Sequence, residues 1–212
     1  MKQSEYLRYD AVALADLIRR GEVAASEICE AAIERAATVN GKLNAICHPQ
    51  FSDALNQAPT PDSTFSGVPM LLKDLAQEQQ GQPCTYGSRG LKKNIASRDS
   101  EFVRRARAAG LVFLGRTATP EFGLKAVTES KLWGACRNPW DTDRTPGGSS
   151  GGPGAAVAAG IVAMACANDG CGPVRIPAAH NGPIGPASYT YLRAPAPGLS
   201  AASRALLRHI TV

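Results

Sequence analysis

Two stretches of this 212-residue chain hold residue types whose spacing could do chemistry. The first is Gly147-Gly148-Ser149-Ser150-Gly151-Gly152, two hydroxyls framed by four glycines. Such a run cannot fill a strand interior, because its glycines permit positive φ and close approach of backbone to a ligand. An apolar helical pattern follows at once, with Pro153 in its first turn and Gly160 as its stop, so amide dipoles point back at the serines. That arrangement favours an anion or a developing oxyanion. A flexible Gly/Ser linker would lack the regular helix. A phosphate loop would need a Lys-Ser or Lys-Thr pair to close its frame, and none is present. The second stretch is Lys73-Asp74, placed where the apolar run Val68-Pro69-Met70-Leu71-Leu72 ends. A buried strand delivers polar side chains to its edge in this way.

The elements that must position these residues are legible from periodicity. Asp10 reads as the N-cap of a helix with Leu14, Leu17 and Ile18 on one face and Gly21 as its stop. A second helix carries Ile28, Ala31, Ala32, Arg35 and Ala36 on one face and ends near Asn40-Gly41. Residues 49–66 read as a polar loop. Ser100 opens a helix with Phe102, Val103, Ala106 and Ala109 inward and Gly110 as its stop; residues 111–114 form the next buried strand, closed by Gly115. Strand, helix, strand is the rhythm of an α/β protein with a largely parallel sheet. No internal repeat or linker divides the chain, which reads as one unit over 1–212.

Composition narrows the classes of function. Apolar residues make up 44 % and charged residues 19 %, the balance of an ordinary globular protein of 22.2 kDa. The apolar stretch 155–167 is short of the roughly 20 residues of a membrane helix, and the N-terminus has no signal-peptide pattern. These features predict a cytoplasmic protein without membrane attachment. The net charge of +5 is dispersed and aromatics are 6 %, which argues against a nucleic-acid partner. The six cysteines form no C-x-x-C and lie at no ligand spacing to a histidine, so they read as reduced, mostly buried thiols, and no metal or other cofactor is expected.

The glycine–serine run resembles the core of the amidase signature. Further segments resemble the same family in the same order: Gly67-Val68-Pro69-Met70-Leu71-Leu72-Lys73-Asp74, then Gly115-Arg116-Thr117-Ala118-Thr119-Pro120-Glu121-Phe122-Gly123, then Thr128-Glu129-Ser130 leading to Arg137-Asn138-Pro139-Trp140, and finally Asn168-Asp169-Gly170-Cys171-Gly172-Pro173-Val174-Arg175-Ile176-Pro177-Ala178. The resemblance covers nearly the whole chain. It implies a mixed, largely parallel twisted sheet flanked by helices, and hydrolysis of a small carboxamide to an acid plus ammonia or an amine. It also implies a Ser-Ser-Lys device. Lys73 matches the catalytic lysine, a base when burial keeps it neutral. Ser149 matches the relay serine, whose peptide bond is cis in the family. The backbone of Gly170, Cys171 and Gly172 matches the oxyanion turn, and Ser88 and Ser150 match positions lining the site.

The nucleophilic serine belongs at position 173, where this chain has proline. Proline offers no hydroxyl to acylate and no N–H. Cys171 replaces a glycine of the turn, and Pro183 and Pro186 fall where the family reads differently. The segment 198–212 resembles the middle of the family's domain, which predicts an incomplete copy with impaired hydrolysis, or a non-catalytic remnant that binds a partner. Asp169 and Arg175 are expected to organise the turn, and Trp133 and Trp140 to pack. The stretch 133–140 resembles the branch containing aminohexanoate amide hydrolases. A relation to the amidase component of transamidation complexes is a further reading.

Overall fold

The computed structural model describes residues 1–57, 59–60 and 63–185. Pro186 and the segment 198–212 lie outside the described residues. The elements run α1 (Gln3–Tyr6), α2 (Ala11–Arg19), α3 (Ala25–Leu43), β1 (Ile46–Pro49), α4 (Phe51–Leu55), β2 (Pro69–Lys73), α5 (Glu101–Ala108), β3 (Val112–Thr117), β4 (Glu129–Ser130), β5 (Gly134–Ala135), α6 (Gly151–Ala158) and α7 (Arg175–Asn181).

The helix signals act as their chemistry requires. Asp10 caps α2 by accepting the Ala13 N–H at 2.8 Å, and Ser100 caps α5 by accepting that of Val103 at 3.4 Å. Glu101 pairs with Arg104 and Arg105 on the wet side of α5, while Val103 and Ala106 enter the core. The helix α3 runs past Asn40-Gly41 to Leu43 and stops at Asn44, whose φ of 51° is left-handed. Asn40 turns the chain there by accepting the N–H groups of Ala45 and Ile46.

The principal sheet has the order β1-β3-β2, with β3 central. The pair β2·β3 is parallel, with α5 in the crossover between them, and β1·β3 is antiparallel. An isolated parallel bridge joins Leu71 to Ala165 on the other side of β2. The expectation of a largely parallel sheet is therefore corrected. Among the described residues the sheet is small and mixed, because β1, unmarked by any apolar run, returns antiparallel beside β3. A separate antiparallel pair, β4·β5, completes the described strands. Pro69 is tolerated in a buried ladder because it is the first residue of its strand.

Gly115 does not close β3. The strand continues to Thr117, and Gly115 lies inside it with φ of 141°, paired to Pro49. A Cβ at this point would collide with the carbonyl oxygen of His48. Glycine is required because the β1 backbone crosses there, beside a register shift in each of the two ladders. Residues 49–66, expected as loop throughout, contain α4, which buries Ala54.

The core gathers Leu14, Ile28, Phe65, Met70, Leu71, Leu72, Leu111 and Leu114, all fully buried. All six cysteines are free thiols; Cys171 is exposed and the others are wholly or partly buried. Trp133 packs edge-on against His48, with ring centroids 4.6 Å apart. Trp140, expected to pack, is 77 % exposed, and its Nε1–H donates to the Asn181 carbonyl.

Candidate functional site

Lys73 is the last residue of β2, and its side chain is wholly excluded from water. The strand end is held from behind. The Lys73 N–H donates to Gln77 Oε1 at 2.7 Å, and buried Arg116 donates to the carbonyls of Lys73 and Gln77 at 3.1 and 2.8 Å. Asp74 next in sequence is turned away, accepting from Thr85 N, Thr85 Oγ1 and Gly87 N. The ammonium group of Lys73 is thereby aimed at the glycine loop that leads into α6.

That loop is shaped by Thr128. Its hydroxyl donates to the Gly147 carbonyl and accepts the Gly151 N–H, both at 2.9 Å, so one side chain clamps both ends of the serine pair. Gly148 must be glycine, since a Cβ would stand 2.5 Å from Val127 N. The Gly148–Ser149 peptide is cis. Thr119 Oγ1 donates to the Ser149 carbonyl at 3.2 Å. Ser150 is the N-cap residue of α6, but its hydroxyl makes no cap hydrogen bond.

Instead, the Lys73 Nζ donates to Ser149 Oγ at 2.9 Å, to Ser150 Oγ at 2.8 Å and to Asn168 Oδ1 at 2.6 Å. The two serines are 2 % and 1 % exposed. Burial pushes Lys73 down to about 7, against upward pulls from Cys166 and Asp169. Near neutrality the amine and the ammonium are then both populated, which is what a proton acceptor for a serine hydroxyl needs. Three of the predicted site residues, Lys73, Ser149 and Ser150, therefore share one contact.

The turn 169–174 follows directly on Asn168. Asp169 accepts the N–H groups of Gly172 at 2.5 Å and Val174 at 3.2 Å, and both its oxygens meet the Arg175 guanidinium at 3.1 Å. Arg175 in turn holds the Asp169 carboxyl down at about 2, helped by the two amides. Asp169 and Arg175 organise this turn, as expected. The Gly172 N–H is committed to Asp169, whereas the amides of Gly170 and Cys171 have no acceptor among the described residues. Pro173 is half-buried in the turn, two residues before α7. Ser88 belongs to a different group: its hydroxyl donates to Glu121 Oε1 at 2.6 Å and accepts the Gly90 N–H.

Sequence reasoning passed over Asn168, Thr128 and Gln77 as individual residues. Thr128 and Asn168 were visible as members of motifs, but no pattern of residue types marks a hydroxyl that clamps a loop or an amide that meets a lysine. Among the described residues, the set of atoms that could hold a metal is Cys47, His48 and Asp74, all within 4.8 Å of one another. Two of the three are occupied. Asp74 accepts three hydrogen bonds, Cys47 Sγ donates to the Arg116 carbonyl, and His48 Nε2 is left without a partner. No described helix is long and apolar enough to cross a membrane.

Known proteins resemble this chain over most of its length. It is 47 % identical over 178 residues to a 6-aminohexanoate-cyclic-dimer hydrolase of Paenarthrobacter ureafaciens, a match covering 83 % of this chain and 36 % of that enzyme. It is 38 % identical over 186 residues to a lipoamidase of Enterococcus faecalis, covering 86 % of this chain and 26 % of that enzyme. A solved structure of a 6-aminohexanoate cyclic dimer hydrolase superposes with a TM-score of 0.80 at 46 % identity, covering 83 % of this chain and 37 % of that one. The chain thus spans well under half the length of these relatives. The amidase family model matches residues 27–207, and the chain belongs to the amidase family.

Proposed function

We propose that this chain carries the amide-hydrolysis site of its family with the nucleophile's position taken by Pro173, so that carboxamide hydrolysis is impaired. The observation that supports it best is the buried contact of Lys73 Nζ with the hydroxyls of Ser149 and Ser150. In the family's complete device, as the resemblance implies, a neutral lysine at position 73 takes a proton from Ser149 Oγ, which takes one from a serine hydroxyl at position 173; with Pro173 the relay ends at Ser149. The amides of Gly170 and Cys171, which have no acceptor among the described residues, are the donors left for an oxyanion, a part Gly172 cannot share while its N–H serves Asp169. With proline at 173 no acyl-enzyme forms, and one backbone donor of the turn is gone as well.

The ancestral substrate class is a small carboxamide, cleaved to an acid and ammonia or an amine without a cofactor. The identity of 47 % to a 6-aminohexanoate-cyclic-dimer hydrolase favours amides of aliphatic amino acids over aryl amides. In this reading residues 1–212 are one unit of the amidase domain. A second reading, a non-catalytic remnant that binds a partner, is favoured by the same Pro173. The assignment of position 173, which both readings share, is tested by incubating the chain with 6-aminohexanoate cyclic dimer and simple carboxamides, with Lys73→Ala in parallel. The expected result is no turnover in either protein. Turnover that Lys73→Ala abolishes would place the nucleophile somewhere other than position 173.

A further inference from the structure

Lys73 Nζ has three hydrogen-bond directions besides its bond to Cε, and three oxygens occupy them. Two of the three belong to hydroxyls, which can donate or accept. The third, Asn168 Oδ1, only accepts. Its orientation is fixed, because Asn168 Nδ2 donates to the Leu75 carbonyl at 3.2 Å. A flipped amide would set its NH2 against the lysine and its oxygen against a carbonyl. The sheet brings Asn168 to this place. The parallel bridge between Leu71 and Ala165, closed by the Cys166 N–H donating to the Leu71 carbonyl at 2.9 Å, sets the segment after α6 alongside β2. Two and three residues further on, Lys73 and Asn168 meet.

We propose that Asn168 is a positioning residue that binds one N–H of Lys73 and so leaves the lysine lone pair only the hydroxyls of Ser149 and Ser150 to face. This rests on the reading of Lys73 as the base of the site. Without Asn168 the neutral amine turns about its Cε–Nζ bond and spends an N–H, rather than its lone pair, on the relay serine. With Asn168 one N–H is committed, a second goes to one serine, and the lone pair receives the hydroxyl proton of the other. Asn168 thus performs part of the orienting work usually done by a third group behind a base.

The test is the Lys73 side-chain titration, read by NMR on the complete chain with 13C,15N-lysine and assigned with Lys73→Met. Asn168→Leu removes the acceptor, and Asn168→Asp keeps it and adds a charge. An accepted N–H stabilises the ammonium more than the amine, so Asn168→Leu should lower the Lys73 pKa by about one unit and Asn168→Asp should raise it by at least as much. The other groups that act on Lys73, Cys166 and Asp169, are unchanged in both variants. If Asn168 merely supports the fold, its loss opens the site to water and Asn168→Leu raises the pKa toward 10.5, which overturns the proposal, as does no change. If Asn168→Leu does not fold, Asn168→Asp decides. A raised pKa with the Lys73 backbone amide still protected from exchange supports it, and an unmoved pKa overturns it. Pro173→Ser with Cys171→Gly, fused to the remaining length of the 6-aminohexanoate-cyclic-dimer hydrolase that the chain resembles, separates this from the reading beneath it. Hydrolysis whose pH profile ignores Asn168→Leu sinks the role of Asn168 and spares the base. Absence of hydrolysis in that fusion, with the two opposite pKa shifts present, overturns the reading of Lys73 as the base and leaves only the contact of Asn168 with Lys73 standing.

Discussion

Lys73 and Ser149 lie 76 positions apart in the sequence and are joined at 2.9 Å in a place from which water is excluded. The contact makes stability depend on pH in a calculable direction. The folded-state pKa of Lys73, about 7, lies below its ordinary 10.5. Below pH 7 both states hold the proton. Between 7 and 10.5 only the unfolded chain binds it, so Lys73 makes stability rise with pH in that window. Toward pH 9 and above the buried thiols act the other way. Cys84 is pushed up to about 11 and Cys29, Cys136 and Cys166 to about 12, so their unfolded forms ionise first. Four thiols ionising together in the unfolded chain outweigh one lysine proton already below pH 9, so stability should peak near pH 8.5, with a net gain of about 1 kcal/mol over pH 7 at about 1.4 kcal/mol per unit per group. Denaturant titrations across pH 6–10 measure it. Lys73→Met should flatten the rise while leaving the fall at higher pH, and an unchanged rise would show that Lys73 is not its source.

The clamp of Thr128 on the glycine loop gives a second expectation. Thr128→Val keeps the shape of the side chain and leaves the Gly147 carbonyl and the Gly151 N–H buried without their partner. Each unpaired buried group costs about 1–3 kcal/mol, so the variant should lose roughly 2–5 kcal/mol in denaturant unfolding. The Lys73 signal should broaden or shift as the serine pair loosens. A variant as stable as the parent would mean that water replaces the hydroxyl.

What could be read beforehand divides along physical lines. The helices α2 and α5 were legible because Asp10 and Ser100 cap apolar repeats, and β2 because a short apolar run ends on Lys73. The strand β1 was not. Its residues, Ile46-Cys47-His48-Pro49, carry no period, and it exists because β3 offers a free edge. The serine pair and the lysine were legible as chemistry, since four glycines around two hydroxyls have few structural uses. Asn168 could not be found in that way, because its role follows from the register between Leu71 and Ala165, a long-range pairing that no local pattern records. The same holds for Gly115, which looks like a strand terminator and is instead the crossing point of two backbones.

Gly115→Ala tests that crossing. The added methyl would meet the His48 carbonyl and stand 3.0 Å from the Pro49 Cα, at a φ of 141° that alanine rarely adopts. Strain of this kind costs on the order of 1–3 kcal/mol for the backbone alone, and the collision adds to it. The variant should unfold at least about 3 kcal/mol more easily, and hydrogen exchange should report the loss first in β1. A melting profile equal to the parent's would show that β1 is not held against β3 at this point.

Activity provides the last expectation. Loss of the nucleophile in a serine hydrolase lowers turnover by about 10⁶, and loss of one oxyanion donor by a further factor of about 10². The chain should therefore show no measurable hydrolysis of carboxamides, and neither Ser149 nor Ser150 should be labelled by a fluorophosphonate. Their hydroxyls already serve Lys73 and are shielded from solvent. Pro173→Ser supplies the hydroxyl and the N–H but leaves Cys171 in the turn. That single change should not restore normal rates. Pro173→Ser with Cys171→Gly, fused to the remaining length of the 6-aminohexanoate-cyclic-dimer hydrolase that the chain resembles, should become labelled at position 173 and hydrolyse an amide in a manner abolished by Lys73→Ala. Labelling at Ser150 in that fusion, with residue 173 untouched, would transfer the nucleophile's role to the serine pair and overturn the assignment of position 173.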